Sequence, residues 1–184
     1  MSYCRYISSL SSEEGAYHRE YHNTQYGFPI TDDNELFGRL ILEINQAGLS
    51  WLTILKKADN FRKAYSNFEI SAIANYTDTD RDRLLADAGI IRNKLKVGAA
   101  IYNAQQLLRI QEEYGSFKNW LDSHRNNNKA EWVKLFKKNF KFTGGEIVGE
   151  FLMSIGYLPG AHDEDCPIHQ EILKQNNAPK VIDK

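Results

Sequence analysis

The chain has 184 residues, 42% hydrophobic and 26% charged, with a formal net charge of −1. That is enough for one domain with a real core, and the near-neutral balance argues against a protein that holds nucleic acid by overall charge. No apolar run approaches the roughly 20 residues needed to span a bilayer, and Met1-Ser2-Tyr3-Cys4-Arg5 lacks a signal-peptide core, so the expected location is the cytoplasm and no membrane partner is expected.

Taken in order, the first 51 residues are rich in rings: Tyr3, Tyr6, Tyr17, Tyr21, Tyr26, Phe28 and Trp51. Aromatics are usually core, but tyrosine hydroxyls require polar partners. From Asp33 to Ala47, apolar residues fall at Leu36, Phe37, Leu40, Ile41 and Ile44, the stripe of one buried helix face. Thr31 and Asp32 can cap its start and Gly48 can end it. Ser50 caps a next helix carrying Trp51, Leu52, Ile54 and Leu55. Further helices fit Ser71–Tyr76, Thr79–Ala88, Lys94–Tyr114, Phe117–Ser123, Ala130–Lys138 and Glu146–Ile155. His124 to Asn128 is a polar loop, and the polar tail beyond Cys166 is expected to fray. No alternating stretch predicts a strand, and no repeat or linker divides the chain. The expected fold is all-α, a single domain over 1–184 with a mobile tail after about 170.

Phe140-Lys141-Phe142-Thr143-Gly144-Gly145 joins two of these helices. The first glycine of such a turn can take a positive φ, and the next helix opens with unpaired N–H groups that can bind a phosphate. A plain αα-turn explains the same residues. Basic clusters at Lys56-Lys57, Arg62-Lys63, Arg92-Asn93-Lys94 and Lys134, Lys137, Lys138 and Lys141 are either nucleic-acid patches or solvated helix faces.

Glu43 lies about 20° from Leu36 on a helical wheel of about 100° per residue, at the margin of the buried face. A carboxylate there must find a partner or hold a proton. One reading pairs it with Arg39 at i−4 or lets it snorkel to water. The other makes it, with the nearby rings, a receptor for a flat cation.

Cys4, His22, His162 and Cys166 form a second constellation. Two thiolates and two imidazoles satisfy tetrahedral zinc, and His162 and Cys166 have helical i, i+4 spacing. His18 and His169 are competing ligands, and a disulfide between the two cysteines is disfavoured in a reducing compartment.

Glu43, Gln46-Ala47-Gly48-Leu49-Ser50-Trp51 and Tyr21-His22-Asn23, followed by Asp87-Ala88-Gly89-Ile90-Ile91-Arg92 and Phe140-Lys141-Phe142-Thr143-Gly144, resemble the 3-methyladenine DNA glycosylase I family, in order and over most of the chain. The resemblance implies a helix-hairpin-helix glycosylase fold whose termini are joined by one structural Zn2+ on Cys4, His22, His162 and Cys166. It implies monofunctional hydrolysis of the N-glycosidic bond of 3-methyladenine in base excision repair, by a monomer acting on double-stranded DNA with alkylated bases. Glu43 would recognise the base, Tyr21 and Trp51 would line its pocket, and Phe142, Thr143, Gly144 and Gly145 would touch the DNA. Tyr6 and Tyr26 stand where members carry tryptophan. His18 stands at a usual tyrosine, with Tyr17 the alternative. The segment from Lys118 to Lys134 is shorter. These changes leave a pocket that is aromatic but smaller or more polar. No general base or Schiff-base lysine is evident. A side chain must fill the vacated base stack, and the Gly48–Ser50 loop is a candidate source. The alternative function is a protein of the same fold that binds alkylated DNA without cutting it, or with altered specificity. A third reading is a metal-stapled helical protein holding a different small cation.

Overall fold

The computed structural model describes residues 2–177. It holds twelve α-helices and one 3₁₀ turn, with no strand among the described residues. They are α1 (Tyr3–Ser8), α2 (Ser12–Thr24), α3 (Asp33–Gln46), α4 (Trp51–Leu55), α5 (Ala58–Ala64), α6 (Ile70–Ala74), α7 (Asp78–Ala86), α8 (Lys94–Tyr114), α9 (Phe117–Ser123), α10 (Lys129–Asn139), α11 (Gly145–Ser154) and α12 (Pro167–Asn177); the 3₁₀ turn, Ser66–Phe68, lies between α5 and α6. None is long and apolar enough to cross a membrane.

Helix α3 is the organising element, touching α4, α5, α6, α8, α9, α11 and the 3₁₀ turn. Leu36, Phe37, Leu40 and Ile41 are fully buried and Ile44 almost so. At its start the Asp32 carboxylate accepts from Glu35 N at 2.9 Å. Asp33 reaches a neighbouring helix, accepting from Phe117 N at 2.7 Å and Lys118 N at 2.9 Å, so an α3 residue satisfies orphan donors of α9. At its other end the Lys96 ammonium donates to Asn45 O at 2.8 Å and Ala47 O at 2.7 Å, occupying the carbonyls that the helix leaves open. The next residues turn through Gly48, whose φ is +81°. Ser50 accepts from Thr53 N at 3.2 Å and starts α4, which sets Trp51 beside α3. Gly38 has a different use: the Phe68 ring lies where its side chain would be.

The central helices fall within a residue or two of their expected limits. The N-terminal α1 and α2, and α5, were not anticipated. Beyond Cys166 the chain is helical to Asn177, with Ile172 buried, a helix the sequence reading does not include. Residues 178–184, the rest of the expected mobile tail, lie outside the described residues.

Candidate functional site: an acidic aromatic pocket, a cysteine-histidine cluster and a hairpin

A cavity of about 580 Å³ opens between α1, α2, α3 and α11, within the roughly 300–1,000 Å³ of small-molecule sites. Its wall is a chain of ring contacts. Tyr6 stacks on Tyr3 (6.4 Å, 20°), Tyr3 meets Tyr26 edge-on (5.3 Å), Tyr26 lies 5.5 Å from Tyr21, and Tyr21 meets Trp51 edge-on (5.1 Å). Of the expected substrate-contacting residues, the structure puts Tyr6, Tyr21, Tyr26, Trp51 and Glu43 on this wall. It does not put Tyr17 there: that ring is 43% exposed on α2. His18 is also absent from the wall. It is buried behind it, its Nδ1 2.9 Å from the Tyr3 hydroxyl. Neither Tyr17 nor His18 thus reaches the cavity; Tyr3 lines it, with His18 against its hydroxyl. Tyr3, Gln46, Glu150 and Met153 also line the cavity; the sequence names Tyr3 only among the N-terminal rings and Gln46 only within the family-like run, and does not mark the other two.

Glu43 is only 4% exposed and makes no hydrogen bond with any described residue. The i−4 pairing does not form: Arg39 donates to the Tyr21 hydroxyl at 3.0 Å and to Gln25 Oε1 at 3.3 Å, and its guanidinium lies over the Tyr21 ring. Burial pushes the Glu43 carboxyl up to about 8, against the opposing pull of the Arg39 charge and with a further push from Glu150. Trp51 adds a buried indole N–H with no acceptor among the described residues. A buried acid without a partner costs free energy, and here it faces a cavity rimmed by π systems. That arrangement suits a flat cationic ring.

Cys4, His22, His162 and Cys166 meet beside this wall, with one ligand atom from each within 4.8 Å of all the others. His22 Nε2 is 3.3 Å from Cys4 Sγ and 3.8 Å from Cys166 Sγ; His162 Nδ1 is 3.8 Å from each sulfur and 3.1 Å from His22 Nε2. A tetrahedral ion with sulfur at about 2.3 Å and nitrogen at about 2.0–2.1 Å requires edges of about 3.3–3.8 Å. The outer ring nitrogens are already engaged. His22 Nδ1 is 2.7 Å from Asn23 Oδ1 and His162 Nε2 is 2.7 Å from Tyr26 O, which turns the other nitrogen of each ring toward the centre. Burial holds the His162 imidazole below its ordinary pKa, favouring the neutral form a metal requires. The donor set fits a metal. His18 and His169 are not part of it.

The two sites share the turn that carries Tyr26. Tyr26 O faces His162 on one side, while Gly27 N donates to Ser154 O at 2.8 Å on the other. Gly27 has φ +80°, and a side chain there would collide with Ala161. Pocket wall, cysteine-histidine cluster and the end of α11 are therefore fixed to one another.

The turn between α10 and α11 is a helix-hairpin-helix element. The expected positive φ falls on Phe142 (+61°), not on Gly144, which is extended (φ −71°) and serves as the N-cap of α11. The cause is a clamp on Lys141: its N–H donates to Asn103 Oδ1 at 2.7 Å and its carbonyl accepts from Asn103 Nδ2 at 3.1 Å. With Lys141 tied to α8, the chain reverses at the next residue. Thr143 is buried and donates to Phe140 O at 3.2 Å, so it shapes the turn from inside. Gly144 gives α11 no side-chain cap, and a side chain there would meet open space. The start of α11 is thus open to an anion. Arg81, Lys94, Tyr102, Lys141 and Phe142 form a groove alongside. Arg62, by contrast, is engaged by Glu35 through two 2.7 Å bonds.

A compact helical domain that sets an acidic, ring-lined cavity beside a helix-hairpin-helix turn belongs to the class of proteins that take a single base out of nucleic acid. The comparisons narrow the class. Residues 11–134 match the model of the methyladenine glycosylase family, and the chain belongs to that family. It is 34% identical to DNA-3-methyladenine glycosylase 1 of Escherichia coli, over 75% of this chain and 84% of that protein. A crystal structure of a variant 3-methyladenine DNA glycosylase I in complex with 3-methyladenine superposes with a TM-score of 0.80 at 32% identity, covering 88% of this chain and 95% of the other. The Staphylococcus aureus 3-methyladenine DNA glycosylase I gives 0.79 at 32%, covering 88% and 94%.

Proposed function

We propose that this chain is a monofunctional DNA-3-methyladenine glycosylase, cytoplasmic and monomeric, that acts in base excision repair on double-stranded DNA carrying alkylated bases. The observation that carries the reading is Glu43: a buried carboxyl with no hydrogen bond to any described residue, on the wall of a cavity lined by tyrosine and tryptophan rings. Alkylation at N3 gives the base a positive charge while it is attached to deoxyribose. Tyr21, Tyr26 and Trp51 stack on the flipped base, and Glu43 accepts hydrogen bonds from its edge. The duplex is held by the α11 N-terminus through Gly144 and Gly145, with Phe142 and Lys141 beside them. Leu49, 39% exposed on the loop that follows Gln46, fills the gap left in the stack.

In the reaction a water oxygen bonds to C1′. The bond from C1′ to the base breaks and its electron pair passes into the purine, which leaves neutral. The water proton goes to solvent. The alkylated base is already a good leaving group, so flipping, holding and admitting water account for the catalysis. Cys4, His22, His162 and Cys166 would hold one Zn2+, a structural ion that would fasten the termini and supply no chemistry to this step.

The test is release of free bases from methylated duplex DNA, resolved by chromatography. Release of 3-methyladenine with 7-methylguanine retained is the expected result. Folded protein that binds 3-methyladenine but releases no base would be a binding module instead, and the assignment would fall.

A further inference from the structure

Three carboxylates border the cavity, and base recognition by Glu43 uses one of them. The other two, Glu146 and Glu150, lie one turn apart on α11. Glu146 is solvated, its side chain 93% exposed and 3.9 Å from Lys129 Nζ. Glu150 is different. It is half-buried, and the Tyr26 hydroxyl donates to its Oε2 at 3.4 Å. Tyr26 in turn is fixed by the His162 contact to its carbonyl. The carboxylate is therefore held against a wall ring, on the opposite helix from Glu43.

The two acids sense each other. The Glu150 charge helps to raise the Glu43 pKa, and burial raises that of Glu150 itself, opposed by the Tyr26 hydrogen bond and, more weakly, by Lys129, with Glu146 adding to the rise. Two like charges facing one cavity destabilise each other until a cation lies between them. Glu43 alone can serve a neutral ligand equally well, because a protonated carboxyl still donates and accepts hydrogen bonds. Glu150 is less buried than Glu43, and the bond it accepts from the Tyr26 hydroxyl favours its charged form.

We propose that Glu150 is a specificity-determining residue, the second carboxylate of the base pocket, which with Glu43 sorts purines by charge. It favours the cationic N-alkylated nucleotide and not the neutral base that is left once the glycosidic bond breaks. The cavity discriminates substrate from product through this charge. The inference rests on the cavity being the base pocket.

The experiment compares two probes at mildly alkaline pH: neutral 3-methyladenine, and 3,9-dimethyladeninium, a permanent cation with a methyl group where the sugar attaches. Binding to wild type, Glu150→Gln and the solvated control Glu146→Gln is followed by tryptophan fluorescence, with a thermal melt to confirm folding. Glutamine keeps an acceptor for Tyr26, so the wall is preserved. Glu150→Gln is expected to bind the cation about tenfold more weakly and the neutral base within about twofold of wild type, the scale of one charge across a partly solvated pocket. Glu146→Gln is expected to change neither. Equal weakening of both probes, or no weakening of either, would overturn the role of Glu150 while leaving the base pocket intact. Wild type that binds neither probe would overturn the base-pocket reading and this inference with it.

Discussion

Arg39 Nη1 donates to the Tyr21 hydroxyl at 3.0 Å, and Glu43, one turn further along the same helix, makes no hydrogen bond with any described residue. The guanidinium is engaged by a wall residue and acts on the acid only through space, holding its pKa below what burial alone would give. Arg39→Gln should therefore let Glu43 keep its proton to higher pH. Affinity for a cationic purine is expected to fall at neutral pH and to recover as the pH is raised. Binding titrations across pH check this; a profile identical to wild type would show that the Arg39 field does not reach Glu43.

Glu43→Gln should abolish selective release of 3-methyladenine and also stabilise the fold. The Glu43 pKa of about 8 in the folded chain lies above its ordinary 4.5. The folded state therefore binds the proton more tightly than the unfolded state does. Its contribution to stability is complete below the ordinary value and is lost as the pH rises toward 8. The slope is at most about 1.4 kcal/mol per pH unit. Glutamine does not ionise and removes this loss. Urea unfolding at the acid and alkaline ends of the window should show the variant gaining on wild type as the pH rises. A constant difference would refute the linkage.

Protein purified without chelator should carry about one zinc per chain. Cys4→Ser, or stripping the metal, should lower the melting temperature and weaken 3-methyladenine binding, because α1 with Tyr3 and Tyr6 and the Tyr26 turn lose their common anchor. Elemental analysis and fluorescence titration read the two effects. Metal-free protein with full affinity would show that the cluster is not what holds the wall.

Asn103→Ala removes both bonds of the Lys141 clamp. Two buried hydrogen bonds of this kind cost about 2–4 kcal/mol together. The expected result is weaker binding to any duplex, measured by fluorescence anisotropy, with free-base affinity unchanged. Loss of base binding as well would mean that the hairpin and the pocket are not separable.

The parts of the fold that were legible in the sequence are those whose buried face is aliphatic. Helix α3 reads directly because Leu36, Phe37, Leu40, Ile41 and Ile44 recur at helical spacing and are almost wholly buried. Helix α2 does not, because its buried stripe is His18, Tyr21 and His22. The i, i+3, i+4 spacing is present, but in residues chosen for the pocket and the cluster and not for hydrophobicity. Tyr3 stands in the sequence only as one of several rings, because nothing local distinguishes it from Tyr6; only the fold brings it against His18. Glu150 carries a usable signal, an acid within the apolar stretch of α11 between Val148 and Phe151. The family resemblance supplied the four-residue cysteine-histidine set, which spacing alone could not separate from His18 and His169. The left-handed residue was expected at a glycine because glycine tolerates it best. It falls on Phe142 because a long-range clamp from α8 outweighs that preference.

The hydrogen-bonding distance between His162 Nε2 and Tyr26 O also bears on synthesis. Chains are made from the N-terminus and fold as their segments emerge. Tyr3, Tyr21 and Tyr26 leave the ribosome early, yet the turn that aims them is fixed by residues near 160. A chain stopped between Trp51 and His162 contains every ring of the wall and lacks the contact that holds the Tyr26 turn. A half-made chain thus has no finished pocket in which to place a base, and the capacity to remove one arrives only after His162 has been added.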